Sequence, residues 1–162
     1  MPTMLFEFDN GLLLTVHGEG APTDSEWNAY ADCAIRNAAS TRCIIILSEG
    51  GGPNAKQRQR IARADAVKTL PTLVMSTSSL VRGMVTALGW LGKSIKACAP
   101  ADAERIGAFV DLDRSTADRA LCHIASLKLA LAGRPGDTHL ALHEALLFIK
   151  TPFSELAQSA SK

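Results

Sequence analysis

The stretch whose residue types come closest to a chemical site is Ser48-Glu49-Gly50-Gly51-Gly52-Pro53-Asn54-Ala55-Lys56. A glycine-rich turn from a strand into a helix can aim several backbone N–H groups at an anion. The phosphate-loop pattern G-x-x-x-x-G-K-[ST] nevertheless fails, because Ala55 stands where the second glycine belongs and Gln57 where the magnesium-binding hydroxyl belongs. Two readings stay open for Gly50, Gly51, Gly52, Pro53 and Asn54: they shape a tight βα loop, or they form a weak anion-binding or partner-binding site. Just downstream, Lys56, Arg58, Arg60, Arg63 and Lys68 face only Asp65 as an opposing charge. Spacing of i, i+4 and i+7 puts Lys56, Arg60 and Arg63 on one helical face. That face is either solvated surface or a docking site for an acidic protein partner. Nucleic acid is the weaker alternative, since no aromatic side chain lies nearby on which bases could stack.

Other constellations fall short of chemistry. Ser76-Thr77-Ser78-Ser79 with Arg82 can bind an anion or accept a phosphate at a helix N-terminus, although capping alone accounts for the hydroxyls. His139 and His143 have the i, i+4 spacing of two metal-binding imidazoles, but Leu147 occupies the place of the second His in H-E-x-x-H. Ser48 follows an apolar run, yet Ile46 replaces the first glycine of the nucleophile elbow G-x-S-x-G. Asp111 and Asp113 read as a turn leading into a helix cap. The expectation is a chain with no catalytic residue, no bound metal and no cofactor.

The elements that must position these residues follow from local pattern. Leu5–Phe8 and Leu12–Val16 flank Asp9-Asn10-Gly11, the turn chemistry of a tight antiparallel hairpin. Thr23 and Glu26 have capping-box spacing, and Trp27, Tyr30, Ala31, Ala34, Ile35 and Ala38 then recur at helical period. Cys43-Ile44-Ile45-Ile46-Leu47 is a continuous apolar run of the kind found in strands buried on both faces. Residues 55–70 predict one basic helix, residues 72–75 a strand, and Ser76 to Ser79 offer several N-caps for a helix that turns Leu80, Val81, Met84, Val85 and Leu88 toward the sheet. That helix is apolar nearly all round, so burial on more than one side is expected. Residues 94–99 predict a last strand, followed by a helix opened by Pro100 and Asp102. Alternating strands and helices predict an α/β domain over residues 1–113, with a mixed, mostly parallel sheet, an N-terminal β-hairpin and flanking helices. Ser115 and Asp118 predict the cap of a further helix, and a shorter one is expected over 139–149. These form a C-terminal helical extension over residues 114–150, packed on the core or on a second subunit, and residues 151–162 read as a flexible tail.

Composition bounds the partners. The chain has 162 residues, 47% hydrophobic and 20% charged, with a formal net charge of +1. This is globular composition for one domain, with no global charge to attract nucleic acid. No apolar run approaches the roughly 18 residues of a membrane span, and the first residues lack a secretory pattern. Cys33, Cys43, Cys98 and Cys122 are scattered without a C-x-x-C pair, as buried thiols of a reducing compartment would be, and a cytoplasmic location is expected.

The order of hairpin, helix and βα units, with a distinctive loop after the Cys43–Leu47 strand, resembles the STAS fold of anti-sigma-factor antagonists over residues 4–112. More narrowly, Gly50-Gly51-Gly52-Pro53-Asn54-Ala55-Lys56-Gln57-Arg58 and Val81-Arg82-Gly83-Met84-Val85-Thr86-Ala87-Leu88-Gly89-Trp90 resemble STAS-like bacterial proteins, myxobacterial ones above all, to which no activity is assigned. The resemblance implies a non-enzymatic regulatory module that binds a protein. STAS antagonists carry a phosphorylated Ser where this chain has Gly52-Pro53-Asn54-Ala55, so that switch does not transfer. Expected instead is docking through Gly50–Asn54, Lys56, Arg60 and Arg63. The alternative is a small-anion or lipid sensor with its pocket between the Gly50 loop and Ser78 with Arg82. Self-association is also expected, because a second copy would cover apolar surface on residues 80–90 or 117–131.

Overall fold

The computed structural model describes residues 1–90, 93–137 and 139–159. Strands β1 (Met4–Asp9) and β2 (Leu12–His17) form the expected antiparallel hairpin. Its turn places Asn10 at φ 46° and Gly11 at φ 81°, both left-handed, as the Asn-Gly signal requires. Strands β3 (Cys43–Ser48), β4 (Thr72–Ser76) and β5 (Ile95–Cys98) add in parallel, and the sheet order is β1-β2-β3-β4-β5. The protein is thus α/β with a five-stranded mixed sheet.

Three crossovers advance in one direction: α1 (Asp24–Asn37), then α2 (Ala55–Ala62) with α3 (Asp65–Lys68), then α4 (Ser79–Trp90). Right-handed crossovers that never reverse direction all lie on the same face of the sheet. On that face Leu13 and Ile44 pack with Trp27, Tyr30, Ala34 and Val67. The opposite face carries Leu14, Val16, Ile45, Leu47, Leu73 and Met75, which pack under α6 (Arg114–Leu131) and α7 (Leu142–Lys150) through Leu121, Ile124, Ala125, Ala145 and Ile149. Between β5 and α6 lie a 3₁₀ stretch, Pro100–Arg105, and the short α5 (Ile106–Val110). The helix α8 (Phe153–Ser159) closes the described chain.

Capping residues explain where these helices begin. The Thr23 hydroxyl accepts from the Glu26 amide, and the Glu26 carboxylate accepts from the Thr23 amide at 2.8 Å. The same carboxylate accepts from the amide and hydroxyl of Thr3 at 2.7 and 2.8 Å, fastening the chain's start to α1. Burial works against its charge, but these hydrogen bonds from Thr23 and Thr3 outweigh that and hold its pKa down at about 2.

Five expectations need correction. Residues 55–70 form two helices rather than one, because Ala64 leaves the helical backbone at φ −91°, ψ 91°. Asp113, not Ser115, caps α6, its carboxylate accepting from the Thr116 amide at 2.9 Å. His139 precedes α7, which starts at Leu142, so the two imidazoles do not share a helix. Leu80 and Met84 face solvent, 72% and 56% exposed, while Val85 is buried. The side chains of Leu88 and Trp90 lie outside the description. Finally, the expected tail is helical over Phe153–Ser159 and buries Leu156 against Leu129 and Ala132. Residues 160–162 lie outside the described residues.

Candidate functional site

The βα loop after β3 is built from both faces of the sheet. Ser48 ends β3 beside Ser76 at the end of β4, so the Gly50 loop and the Ser78 turn are neighbours at the carboxyl ends of two adjacent strands. Sequence reasoning expects both there, and the register brings them together.

Several of the loop's donors, however, are already engaged within the protein. The Glu49 amide donates to the His17 carbonyl at 3.0 Å, the Gly50 amide to the Ser48 hydroxyl at 3.3 Å, and the Gly51 amide to the Gly18 carbonyl at 2.8 Å. The Ser48 hydroxyl in turn donates to the Gly51 carbonyl at 2.8 Å. Gly51 is buried, and a Cβ there would stand 2.1 Å from the Gly20 carbonyl oxygen and 2.5 Å from that of Gly18. Only glycine fits that close approach of two loops. Gly50 needs its freedom for a different reason, a φ of 119°. Asn54 caps α2 through a box with Gln57: the Asn54 amide donates to the Gln57 side chain at 3.0 Å, and the Gln57 amide donates back at 2.9 Å.

Ser78 and Arg82 are likewise engaged. The Ser78 hydroxyl accepts from the Val81 amide at 3.3 Å, the capping role. Arg82 donates to the carbonyls of Ser76 and Thr77 at 2.6 and 2.8 Å, closing the β4–α4 turn. An anion between these two loops would compete with the bonds of Gly50 to Ser48 and of Arg82 to the Ser76 and Thr77 carbonyls.

The basic face lies on α2 opposite α1. Lys56 stands 3.6 Å from Asp24, and Arg60 donates to Asp32 at 2.5 Å and to the Asn28 side chain. Arg63 is exposed. Lys56, Gln59, Arg60, Arg63 and Ala64 line a groove of about 480 Å³ together with Ile35 of α1. Ile35, expected in the apolar stripe of α1, is 45% exposed and floors this groove.

Sequence reasoning missed the buried polar residues that hold the loop. Gln57 is buried and donates to the Pro22 carbonyl at 2.9 Å and to Asp24 at 3.0 Å, while the Trp27 indole donates to the Gln57 carbonyl at 2.7 Å. Asn54-x-x-Gln57 is the box that would have signalled it. Lys128 is fully buried within α6 and forms an ion pair with Glu49 of the loop. It also donates to the carbonyls of Ile149 and Thr151 at 3.1 and 2.7 Å. Burial pulls its pKa below the usual lysine value, and Glu49 opposes that. The signal in the sequence is a lysine on the apolar stripe, four residues after Ile124 and seven after Leu121. His17, at the end of β2, is buried beside Trp27, its Nδ1 without a hydrogen-bond partner among the described residues. Burial pushes its pKa down to about 4, against a smaller upward pull from Glu26.

No group of three His, Cys, Asp or Glu gathers at metal-binding geometry among the described residues. Burial pushes the thiols of Cys43 and Cys98 up to about 11, which leaves them protonated and unreactive at neutral pH. No helix among the described residues is long and apolar enough to cross a membrane. No family model matches the sequence, and a search of curated proteins finds no match.

Proposed function

We propose that this chain is a non-enzymatic regulatory module of STAS type that docks an acidic protein partner. The docking surface is the groove between α1 and α2, with the Gly50–Asn54 loop at its edge. One observation carries the reading: Ile35 is exposed in a groove rimmed by Lys56, Arg60 and Arg63. An exposed apolar residue beside Arg63, with Lys56 and Arg60 close by and paired to Asp24 and Asp32, suits a partner segment whose acidic residues flank an aliphatic one and compete for those cations. Asn28 and Asp32 hold Arg60 in a fixed pose, which lowers the entropy cost of binding through it. The hairpin followed by three βα units supports the STAS comparison at the level of architecture only, and fold does not imply function.

Affinity capture tests the reading with the intact chain, with Arg60→Glu/Arg63→Glu, and with Arg114→Glu as a distant control on an 89% exposed side chain. The expected outcome is capture of the same acidic protein by the intact chain and the control, with loss in the double reversal. Unchanged recovery with the double reversal would remove the groove as the docking surface. Self-association belongs to the same proposal with a narrower basis. The stripe over residues 117–131 is covered by the chain's own sheet and α7, so of the two surfaces expected to self-associate the one on α4, with Leu80 and Met84 exposed, is the one open to a second copy.

A further inference from the structure

We propose that the α6–α7 pair is a clamp on the Gly50–Asn54 loop, working from the face of the sheet opposite the docking groove, with Lys128 as its positioning residue. The inference takes its purpose, control of docking, from the function proposed above, but the coupling itself stands on separate geometry. The Lys128 ammonium reaches three acceptors from two places: the carbonyls of Ile149 and Thr151 at the end of α7, and the carboxylate of Glu49 at the start of the loop. The two charges and the Ile149 carbonyl are withdrawn from water, and Thr151 is half-buried. Lys128 and Glu49 side chains are 1% and 6% exposed, so neither charge can turn to solvent without moving an element.

The next residues along the loop leave it little freedom to move alone. Glu49 and Gly51 are bonded through their amides to His17 and Gly18, the end of β2. Leu131 of α6 and Phe153 of α8 lie near Gly18, where an added Cβ would stand 3.5 and 3.9 Å from them, so the C-terminal helices border the same backbone. The support that residues 128–151 supply to the loop is thus the charge contact at Glu49, held through Lys128 to the end of α7. Lifting α7 from α6 takes two of the three acceptors from Lys128 and opens its pair with Glu49 to water, which weakens the attraction. A mid-helix lysine inside an otherwise apolar stripe is a costly way to pack a helix, and a leucine there would pack as well for stability alone. What the lysine adds is a directed link between α7 and the loop.

Hydrogen exchange on the intact chain reads this link at the hydrogen-bonded amides of Gly50 and Gly51. Lys128→Met/Glu49→Gln removes both charges at similar volume, and exchange at those amides should speed up at least tenfold while Ile44 to Ile46 in β3 keep their protection. Ala145→Leu places a larger side chain at a fully buried site of α7 and touches neither charge. It should speed the same loop amides in the otherwise unaltered chain and add nothing in the charge-free background. Loop amides that keep their protection when α7 amides show its displacement would overturn the clamp. Should the charge-free variant fail to fold, Ala145→Leu beside Glu49→Gln, which keeps an acceptor for Lys128, decides the same question. Capture of the acidic protein, read in parallel, separates the two proposals. A loosened loop with unchanged capture upholds the clamp and removes the loop from the docking surface, whereas an unmoved loop with capture lost in Arg60→Glu/Arg63→Glu does the reverse.

Discussion

Acidification should destabilise this protein well above the carboxylate range, through His17. The residue closes β2 with 3% of its surface exposed, and its ring lies 6.3 Å from that of Trp27. Burial pushes its pKa from 6.5 to about 4. A base with a depressed folded pKa binds its proton more readily in the unfolded chain, so stability is full above pH 6.5, falls as the pH drops, and levels off below 4. At about 1.36 kcal/mol per unit, the full loss is about 3.4 kcal/mol, of which about 2 kcal/mol is gone by pH 5. With a urea slope of about 2 kcal/mol per molar, the unfolding midpoint should fall by about 1 M between pH 7.5 and pH 5. Glu26 contributes in a separate window, since its pKa of about 2 places its loss between pH 4.5 and pH 2. Urea titrations at pH 7.5, 6.5, 5.5 and 5.0, run on the natural chain and on His17→Leu, isolate the histidine. The variant should lack the slope. Parallel pH profiles for the two chains would refute the reasoning, because the loss would then come from some other group.

Two further substitutions probe the supports of the loop and of the chain end. Gly51→Ala sets a methyl group against two backbone carbonyls that cannot rotate away, and should cost about 1–3 kcal/mol or more, read as a Tm lowered by several degrees. A Tm within a degree of the natural chain would mean that the Gly18–Gly20 and Gly50–Gly52 loops do not sit against each other. Leu156→Ala removes the buried anchor of α8 and should cost about 2 kcal/mol while exposing the peptide bonds near Ser159 to proteolysis; an unpacked tail would show neither effect.

Much of the architecture is legible because its signals are local. Asn10-Gly11 has few ways to turn, Thr23 and Glu26 cap each other three residues apart, and Cys43 to Leu47 is too uniformly apolar to lie at a surface. Periodicity reads less well where a helix has apolar residues on more than one side. In α4 it turns Leu80 and Met84 inward, when the one-sided sheet contact buries Val85 and leaves them outside. Ile35 is misplaced for the same reason, lying at the margin of the stripe that Tyr30, Ala31 and Ala34 define. The candidate site is harder to read. The glycines announce a loop, but whether its amides are free depends on Gly18 and Gly20, distant in sequence. Lys128 and Glu49 are each unremarkable until the fold withdraws both from water together. Pattern reading assigns a lysine to solvent, and only the packing of α6 against β2 shows that this one has nowhere wet to go.

Sheet topology bears on why the proposed recognition surface is the outside of helices rather than a crevice. In doubly wound folds the strand order reverses, and the loops on either side of that reversal part to leave a cleft at the carboxyl ends of the strands. Here the parallel strands run β2-β3-β4-β5 without reversal, so α1, α2 with α3, and α4 follow one another along a single face. Neighbouring loops then run side by side, and the Gly50 loop is drawn against Gly18 and Gly20 rather than away from them. A fold of this kind spends its loop amides on itself and offers the outside of its helices. The positive charge on that outside clusters on α2 and its C-cap Arg63, where Asp24 and Asp32 of α1 orient Lys56 and Arg60 and Arg63 stands clear of both. An acidic segment binding there would meet an arginine already fixed in place, and the loop beside it would enter the contact in whatever pose Glu49 and Lys128 hold it.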